Sequence, residues 1–375
     1  MISLLIAFLI LSYSFAKHTT SIDISPEWTK GGQSYIFTIT ITNTGGGRIT
    51  YVKIQVPTSP SPFTLTDCEP APPGWIVDES DLALGICRYS SSDGITEGDY
   101  VDFSITATTA SDEGTYEWSV MTRDIFEEWG PEQRPVTKID NTPPSTTISP
   151  NGKTWTNQDV DFTLTCEDGG SGCEQTYYEV VNKEESCPPV GSASYVAGNS
   201  GTVTCDAGSV CEKKVCFYSV DTLDNKPTEP LESGVFQIDK EAPQAPTMQP
   251  EPLYTQGTSN EVCWSSVTDE GSGNVQYYVE YDDDPGFNSP DGNSGWITET
   301  CFTFDDLLDG TTYYYHVKAK DGLGNEGKWS DDVSSTQDNT PPFVSVISPN
   351  GGEVWAGGST QKIIWDATDP NMADS

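Results

Sequence analysis

Short runs in which apolar and polar residues alternate recur along the chain, among them Val160-Asp161-Phe162-Thr163-Leu164 and the segment Tyr313-Tyr314-Tyr315-His316-Val317-Lys318-Ala319. A period of two, rich in β-branched and aromatic residues, predicts strands with one buried face. No stretch sustains the period of an amphipathic helix. Asp-Gly, Pro-Gly and Asn-Gly dipeptides interrupt the runs at short intervals. The expected fold class is therefore all-β, built as antiparallel sandwiches of about seven strands each.

The runs are organised by a repeat near one hundred residues. Asp140-Asn141-Thr142-Pro143-Pro144 returns as Asp239-Lys240-Glu241-Ala242-Pro243 and again as Asp338-Asn339-Thr340-Pro341-Pro342. Asp168-Gly169-Gly170-Ser171-Gly172 returns as Asp269-Glu270-Gly271-Ser272-Gly273, and Asp221 to Asn225 (DTLDN) returns as Asp321 to Asn325 (DGLGN). Self-similarity at a fixed period marks a tandem array. The expected units are 17–138, 139–241, 242–338 and 339–375, the last long enough for only the beginning of a sandwich. That last unit implies a fragment of a longer protein, with 343–375 poorly ordered or only partly paired, because a third of a sandwich cannot bury a core.

Composition narrows the setting. Residues 1–16 (MISLLIAFLILSYSFA) are apolar and uncharged and end in Ser14-Phe15-Ala16, which reads as a secretory signal peptide cleaved after Ala16. A membrane anchor needs about 20 apolar residues, more than this segment has. The ten cysteines fall at 68 and 87, then 166, 173, 187, 205, 211 and 216, then 263 and 301, an even number per unit, as an exported protein with paired cysteines requires. No CxxC pair occurs and His18 and His316 lie far from the cluster, so disulfides are expected rather than zinc. Cys68 and Cys87, alone in their unit, are expected to pair. Cys166 and Cys173 flank a glycine-rich turn and are the first pairing expected among six that allow fifteen connectivities. With 57 acidic against 18 basic residues the formal net charge is −39, which argues against nucleic acid and against anionic membrane surfaces.

The unit 242–338 resembles a fibronectin type III domain: Trp264 falls at the family's B-strand tryptophan, Tyr277 to Tyr281 (YYVEY) at its C strand, and Leu307, Gly310, Thr311 and Tyr313 match its L-x-x-G-T-x-Y corner. The resemblance implies a core formed by these residues. Alternation then places Tyr313, Tyr315, Val317 and Ala319 inward and His316 outward as a solvated residue. It also implies that Cys263 and Cys301, outward neighbours of Trp264 and Phe302 on adjacent strands, lie opposite each other and pair. The unit 139–241, with DNTPP, Trp155 and SVDTLDN, resembles bacterial or archaeal immunoglobulin-like surface modules. The unit 17–138, with TITITN and YVKIQVP, resembles the β-sandwich repeats of prokaryotic surface proteins, and Ile347 to Trp355 (ISPNGGEVW) resembles the start of another immunoglobulin-like module. Together these resemblances describe tandem immunoglobulin-like and fibronectin type III β-sandwiches of an extracellular, archaeal-type protein.

Catalytic signatures are absent: there is no GxSxG, HExxH, Walker or dinucleotide glycine pattern. No catalytic or cofactor residue is expected, and the chain is read as a non-enzyme. Asp140, Asn141, Asp338 and Asn339 offer oxygen ligands at the linkers and resemble, in a limited way, the calcium joints of cadherin-like proteins. The competing reading is that they cap turns before proline. The expected function is adhesion, surface structure or binding of an extracellular protein or glycan by a secreted or cell-surface chain, with no membrane insertion. The alternative is a set of spacer modules of an extracellular hydrolase. Salt adaptation offers a separate explanation of the acidity.

Overall fold

The computed structural model describes residues 17–369 and 371, so the signal peptide expected over 1–16 lies outside the described residues. Among the described residues there is no α-helix; a single 3-10 turn, Leu82–Leu84, interrupts the strands. Three hydrophobic cores follow one another along the chain, one drawn from residues 37–139, one from 162–238 and one from 248–319.

The first core lies between two four-stranded sheets. One runs in the order Thr19–Ser25, Ser34–Gly45, Tyr100–Thr108, Thr64–Asp67, and the other in the order Ser119–Asp124, Ile49–Gln55, Ile86–Ile95, Ile76–Asp78. Alternation along Ser34–Gly45 buries Phe37, Ile39 and Ile41, which meet Val52 and Ile54 of the facing sheet. Trp118 packs on Phe37 and Trp75 stands edge-on to Phe103, so aromatic rings fill the centre. The Cys68–Cys87 disulfide is fully enclosed in the same core.

In the second sandwich, Ser145–Ser149, Val160–Glu167 and Ser200–Val203 form one sheet. The other places Lys153–Thr156, Phe236–Asp239, Val210–Asp221, Cys173–Asn182 and Val196–Ala197 side by side. Along Val210–Asp221, every residue from Val215 to Asp221 is buried, which alternation alone does not predict. The reason is a disulfide. Cys187 is bonded to Cys216, and the loop it holds lays Tyr195 and Val190 over the outer face, against Tyr218 and Val220. Cys166 is joined to Cys173 and Cys205 to Cys211.

The third sandwich pairs Asn260–Cys263 with Cys301–Phe304 as one sheet. Tyr254–Gln256, Val333–Asp338, Thr312–Lys320, Gln276–Asp282 and Gly292–Asn293 form the other. Cys263 lies directly opposite Cys301 and is bonded to it. Tyr313, Tyr315, Val317 and Ala319 all face the core. His316 is on the outer face, as alternation requires, but it is only 8% exposed rather than solvated. Phe287 stacks on one side of its ring at 3.6 Å and Trp329 on the other at 3.9 Å, while Nε2 meets Glu280 Oε1 at 2.8 Å. Beyond this sandwich, Phe343–Ser348 pairs with Ile364–Thr368 as a two-stranded sheet that leaves Phe343, Val346, Trp355 and Trp365 exposed.

The disulfide-held face of the second sandwich has a measurable consequence. Burial, followed by the charge of Glu179, pushes the Tyr195 phenol up to about 12. Its contribution to stability is therefore present below about pH 10 and is lost as pH rises through about 12. Replacing Cys187 and Cys216 together by alanine opens a loop of 29 residues and is expected to lower stability by about 3 to 4 kcal/mol in the chain-entropy account. Denaturant unfolding measures the loss, and spectrophotometric titration should find Tyr195 back near its ordinary value.

Candidate functional site at the joints between sandwiches

Each joint is built from an aspartate that ends one sandwich and two turns of the next, one after its strand Val160–Glu167 and one after Val210–Asp221 at the first joint. Asp140 directly follows the strand Val136–Ile139, Asp168 starts the turn after Val160–Glu167, and Asp221 ends Val210–Asp221. The corresponding residues one repeat later are Asp239, Asp269 and Asp321. In each trio, carboxylate oxygens from all three residues lie within 4.8 Å of one another. Four of these side chains are buried: Asp140, Asp221, Asp239 and Asp321 are each at most 3% exposed.

Local chemistry explains why the sequence folds this way. Asp168 Oδ2 accepts the amides of Gly170 at 3.0 Å and Gly172 at 2.6 Å, closing a glycine-rich turn around one carboxylate. Asp269 Oδ2 does the same with Gly271 at 3.2 Å and Gly273 at 2.9 Å. The Ser171 amide, held between those two, donates to Asp140 Oδ2 at 2.7 Å, and the Ser272 amide donates to Asp239 Oδ2 at 2.8 Å. This approach excludes side chains at 170 and 271, where a Cβ would collide with the carboxylates of Asp140 and Asp239.

The third carboxylate closes its own loop. Asp221 Oδ1 accepts the amides of Leu223 and Asn225, and Oδ2 accepts Asn225 Nδ2 at 2.6 Å. Asn225 Nδ2 also donates to the Asp140 carbonyl at 3.0 Å, so the loop reaches back to the preceding sandwich. Asp321, Leu323 and Asn325 repeat this set, including the 3.0 Å bond to the Asp239 carbonyl. Two further contacts cross the joints. Lys30 Nζ donates to the Asp224 carbonyl at 3.1 Å, and Asn157 Nδ2 donates to the Leu323 carbonyl at 3.2 Å. A cleft of about 550 Å³ at the first joint is lined by Trp28, Glu113, Lys138, Asp140, Glu167 and Asp168.

Three converging carboxylates repel one another unless something offsets them. Burial pushes Asp140 up, yet the donors from Ser171 and Thr142 outweigh it and hold this carboxyl below its ordinary value. At the second joint burial dominates for Asp269, and the charges of Asp239 and Asp321 add to it, raising its carboxyl although Gly273 and Gly271 donate to it. Ser171 Oγ and Ser272 Oγ, enclosed beside the trios, make no hydrogen bond of good geometry. An all-oxygen set of carboxylates with spare hydroxyl and lone-pair capacity fits a hard divalent cation of the calcium class.

Of the linker residues expected to bind such an ion, Asp140 alone joins a trio. Asn141 is a tether instead: its Oδ1 accepts the Gly31 amide at 2.8 Å and its Nδ2 donates to the Ser111 carbonyl at 3.0 Å. Asp338 Oδ1 accepts Thr340 N and Asn371 Nδ2, each at 3.2 Å, and the Asn339 amide donates to Asp309 Oδ1 at 2.7 Å. Among the described residues no trio forms around Asp338. The sequence does not single out Asp168, Asp221, Asp239, Asp269 and Asp321 as members of these trios, although the repeats they begin or end are recognisable in it. The signal available was the strict retention of aspartate at all three positions in two repeats.

No family model matches the chain, and no curated protein matches it. Solved structures that match include domains A168-A170 of titin, with 10% identity over 86% of this chain and 99% of the titin piece and a TM-score of 0.31. The FN1-FN3 domains of chicken CNTN1 show 13% identity over 83% of this chain and 99% of theirs, with a TM-score of 0.25. Fibronectin(III)-like modules of Clostridium thermocellum CbhA show 12% identity over 60% of this chain and 94% of theirs, with a TM-score of 0.25. The chain is all-β, a series of tandem β-sandwiches.

The joint chemistry predicts which residues are intolerant of change. Asp221→Ala strands two backbone amides and the Asn225 side chain, and should cost about 2 to 3 kcal/mol in denaturant unfolding. Gly170→Ala, although on a turn, should also destabilise the second sandwich, because the added Cβ meets the Asp140 carboxylate.

Proposed function

We propose that this chain is a secreted or cell-surface modular protein, non-catalytic in this segment, whose sandwiches are joined end to end by divalent cations, with calcium the ion the ligand chemistry suits. Adhesion, surface structure or presentation of a binding face to an extracellular protein or glycan follows from such an array. The observation that carries the reading is the duplication of the joint. Two aspartate trios, about one hundred residues apart, share the same turn hydrogen bonds, the same reach from Asn225 or Asn325 to the upstream carbonyl and the same enclosed serine hydroxyl.

Several independent features support it. All ten cysteines are paired, which suits an oxidising exterior. A net charge of −39 favours cation uptake. The raised Asp269 carboxyl has the sign expected of a crowded site: its contribution to stability is present below the ordinary carboxylate value and is lost as pH rises through the folded value. At neutral pH the trio therefore carries repulsion that a bound cation would remove.

Two conditions separate this reading from simple turn capping. In chelator at pH 7, Asp269→Asn, which keeps an acceptor for Gly271 and Gly273 but removes a charge, should melt higher than the parent. With millimolar calcium the parent should melt higher than in chelator, and in the double variant Asp140→Asn, Asp239→Asn that rise should shrink, with the calcium-dependent change in the scattering profile lost. A parent whose melting and small-angle scattering profile are the same in calcium and chelator would refute cation-braced joints.

A further inference from the structure

A third group of carboxylates lies away from the joints, at the end of the strand Gln276–Asp282 and in the loop that leads to Gly292–Asn293. The loop reads Asp283-Asp284-Pro285-Gly286-Phe287-Asn288-Ser289-Pro290-Asp291. Asp282, Asp283 and Asp291 bring carboxylate oxygens within 4.8 Å of one another. Asp283 and Asp291 are exposed, but Asp282 is only 3% exposed.

The state of Asp282 sets this group apart from a solvated acidic cluster. Its Oδ1 accepts the Asp284 amide at 3.1 Å, whereas its Oδ2 is enclosed and has no hydrogen-bond partner. Among the described residues no lysine, arginine or histidine forms an ion pair with Asp282, Asp283 or Asp291. A buried carboxylate oxygen with no donor is costly, and two further carboxylates beside it add repulsion. The loop supplies only oxygen at this point, with no histidine or thiol. Asp284 is already committed to shaping the loop, since its two oxygens accept the Gly286 amide at 3.1 Å and Asn288 Nδ2 at 2.8 Å.

We propose that Asp282, Asp283 and Asp291 form a divalent-cation site of the calcium class, distinct from the joints, in which the unpartnered Asp282 Oδ2 is the inner ligand. The two exposed carboxylates close the site from the solvent side, and water completes the coordination. The site sits at the base of the loop whose tip carries Phe287. Phe287 adopts φ 48°, a left-handed conformation for a bulky aromatic residue, and its ring covers His316 at 3.6 Å. Clamping the base of the loop holds that ring in place. The ion therefore organises the outer face of the third sandwich, where Phe287, His316 and Trp329 stack and where Lys318 Nζ lies 4.8 Å from the Trp329 ring centre.

This inference does not depend on the joints, and one experiment reads both. Hydrogen exchange of the full secreted chain is followed with calcium chloride and with chelator, for the parent, for Asp291→Asn and for the double variant Asp140→Asn, Asp239→Asn. Calcium is expected to slow exchange in 283–291 at least tenfold in the parent and in the double variant, and to leave it unchanged in Asp291→Asn. Asp291 is exposed and its substitution should not unfold the sandwich, which the unchanged exchange of Thr312–Lys320 checks. Titration calorimetry should find one calcium fewer in Asp291→Asn than in the parent. Exchange in 283–291 that ignores calcium overturns the site, whatever the joints do, and an equal calcium count in Asp291→Asn and parent overturns it as well. Protection of 283–291 without protection of 168–172 and 269–273 would uphold this site and count against the joints.

Discussion

One hydrogen bond governs how the sandwiches are strung together: the amide of Ser171, in the glycine-rich turn after the strand Val160–Glu167 of the second sandwich, donates to the carboxylate of Asp140, the residue that ends the first. Its copy runs from Ser272 to Asp239. A buried carboxylate cannot be left without donors, so everything around it is arranged to supply them. The turn must be glycine-rich to come close enough, Asp168 or Asp269 must shape that turn, and Asn225 or Asn325 must satisfy the upstream carbonyl. The repeat length follows from this geometry. Each unit has to return its last strand to the point from which the next linker aspartate can reach the next turn.

Much of the fold was legible because alternation is a local signal. Phe37, Ile39 and Ile41, or Tyr313, Tyr315 and Val317, occupy the core because a strand shows one face to it. What alternation could not show was a sheet covered on both faces. The buried run Val215 to Asp221 depends on a loop pinned by Cys187–Cys216, and its pairing was one of fifteen arrangements. His316 failed in the same way. Its side of the strand was legible, but its cover comes from Phe287 and Trp329, 29 residues before it and 13 after it, on segments with no pattern of their own.

The site was legible in outline only. Asp140 was identified from the linker motif, yet its partners Asp168 and Asp221 lie 28 and 81 residues further on. Nothing short of the fold brings them together. Asn141 looked equally suited by composition, but its side chain is consumed in bonds to Gly31 and Ser111, and such a commitment has no sequence signature. The acidity acquires two meanings in consequence. Most acidic residues keep a surface of one sign, whereas a few are drawn inward at positions where their charge must be matched.

The disulfides also determine how such an array would behave under tension. A bond between Cys263 and Cys301 ties together adjacent strands of the third sandwich and encloses a separation of 38 residues. If that sandwich were pulled open from its ends, this stretch could not extend, which withholds about 130 Å of contour length at the reach of an extended chain. Cys68–Cys87 and Cys187–Cys216 withhold further segments of 19 and 29 residues. A filament of these units would lengthen in short, limited steps and keep a covalently closed remnant of each sandwich from which to refold.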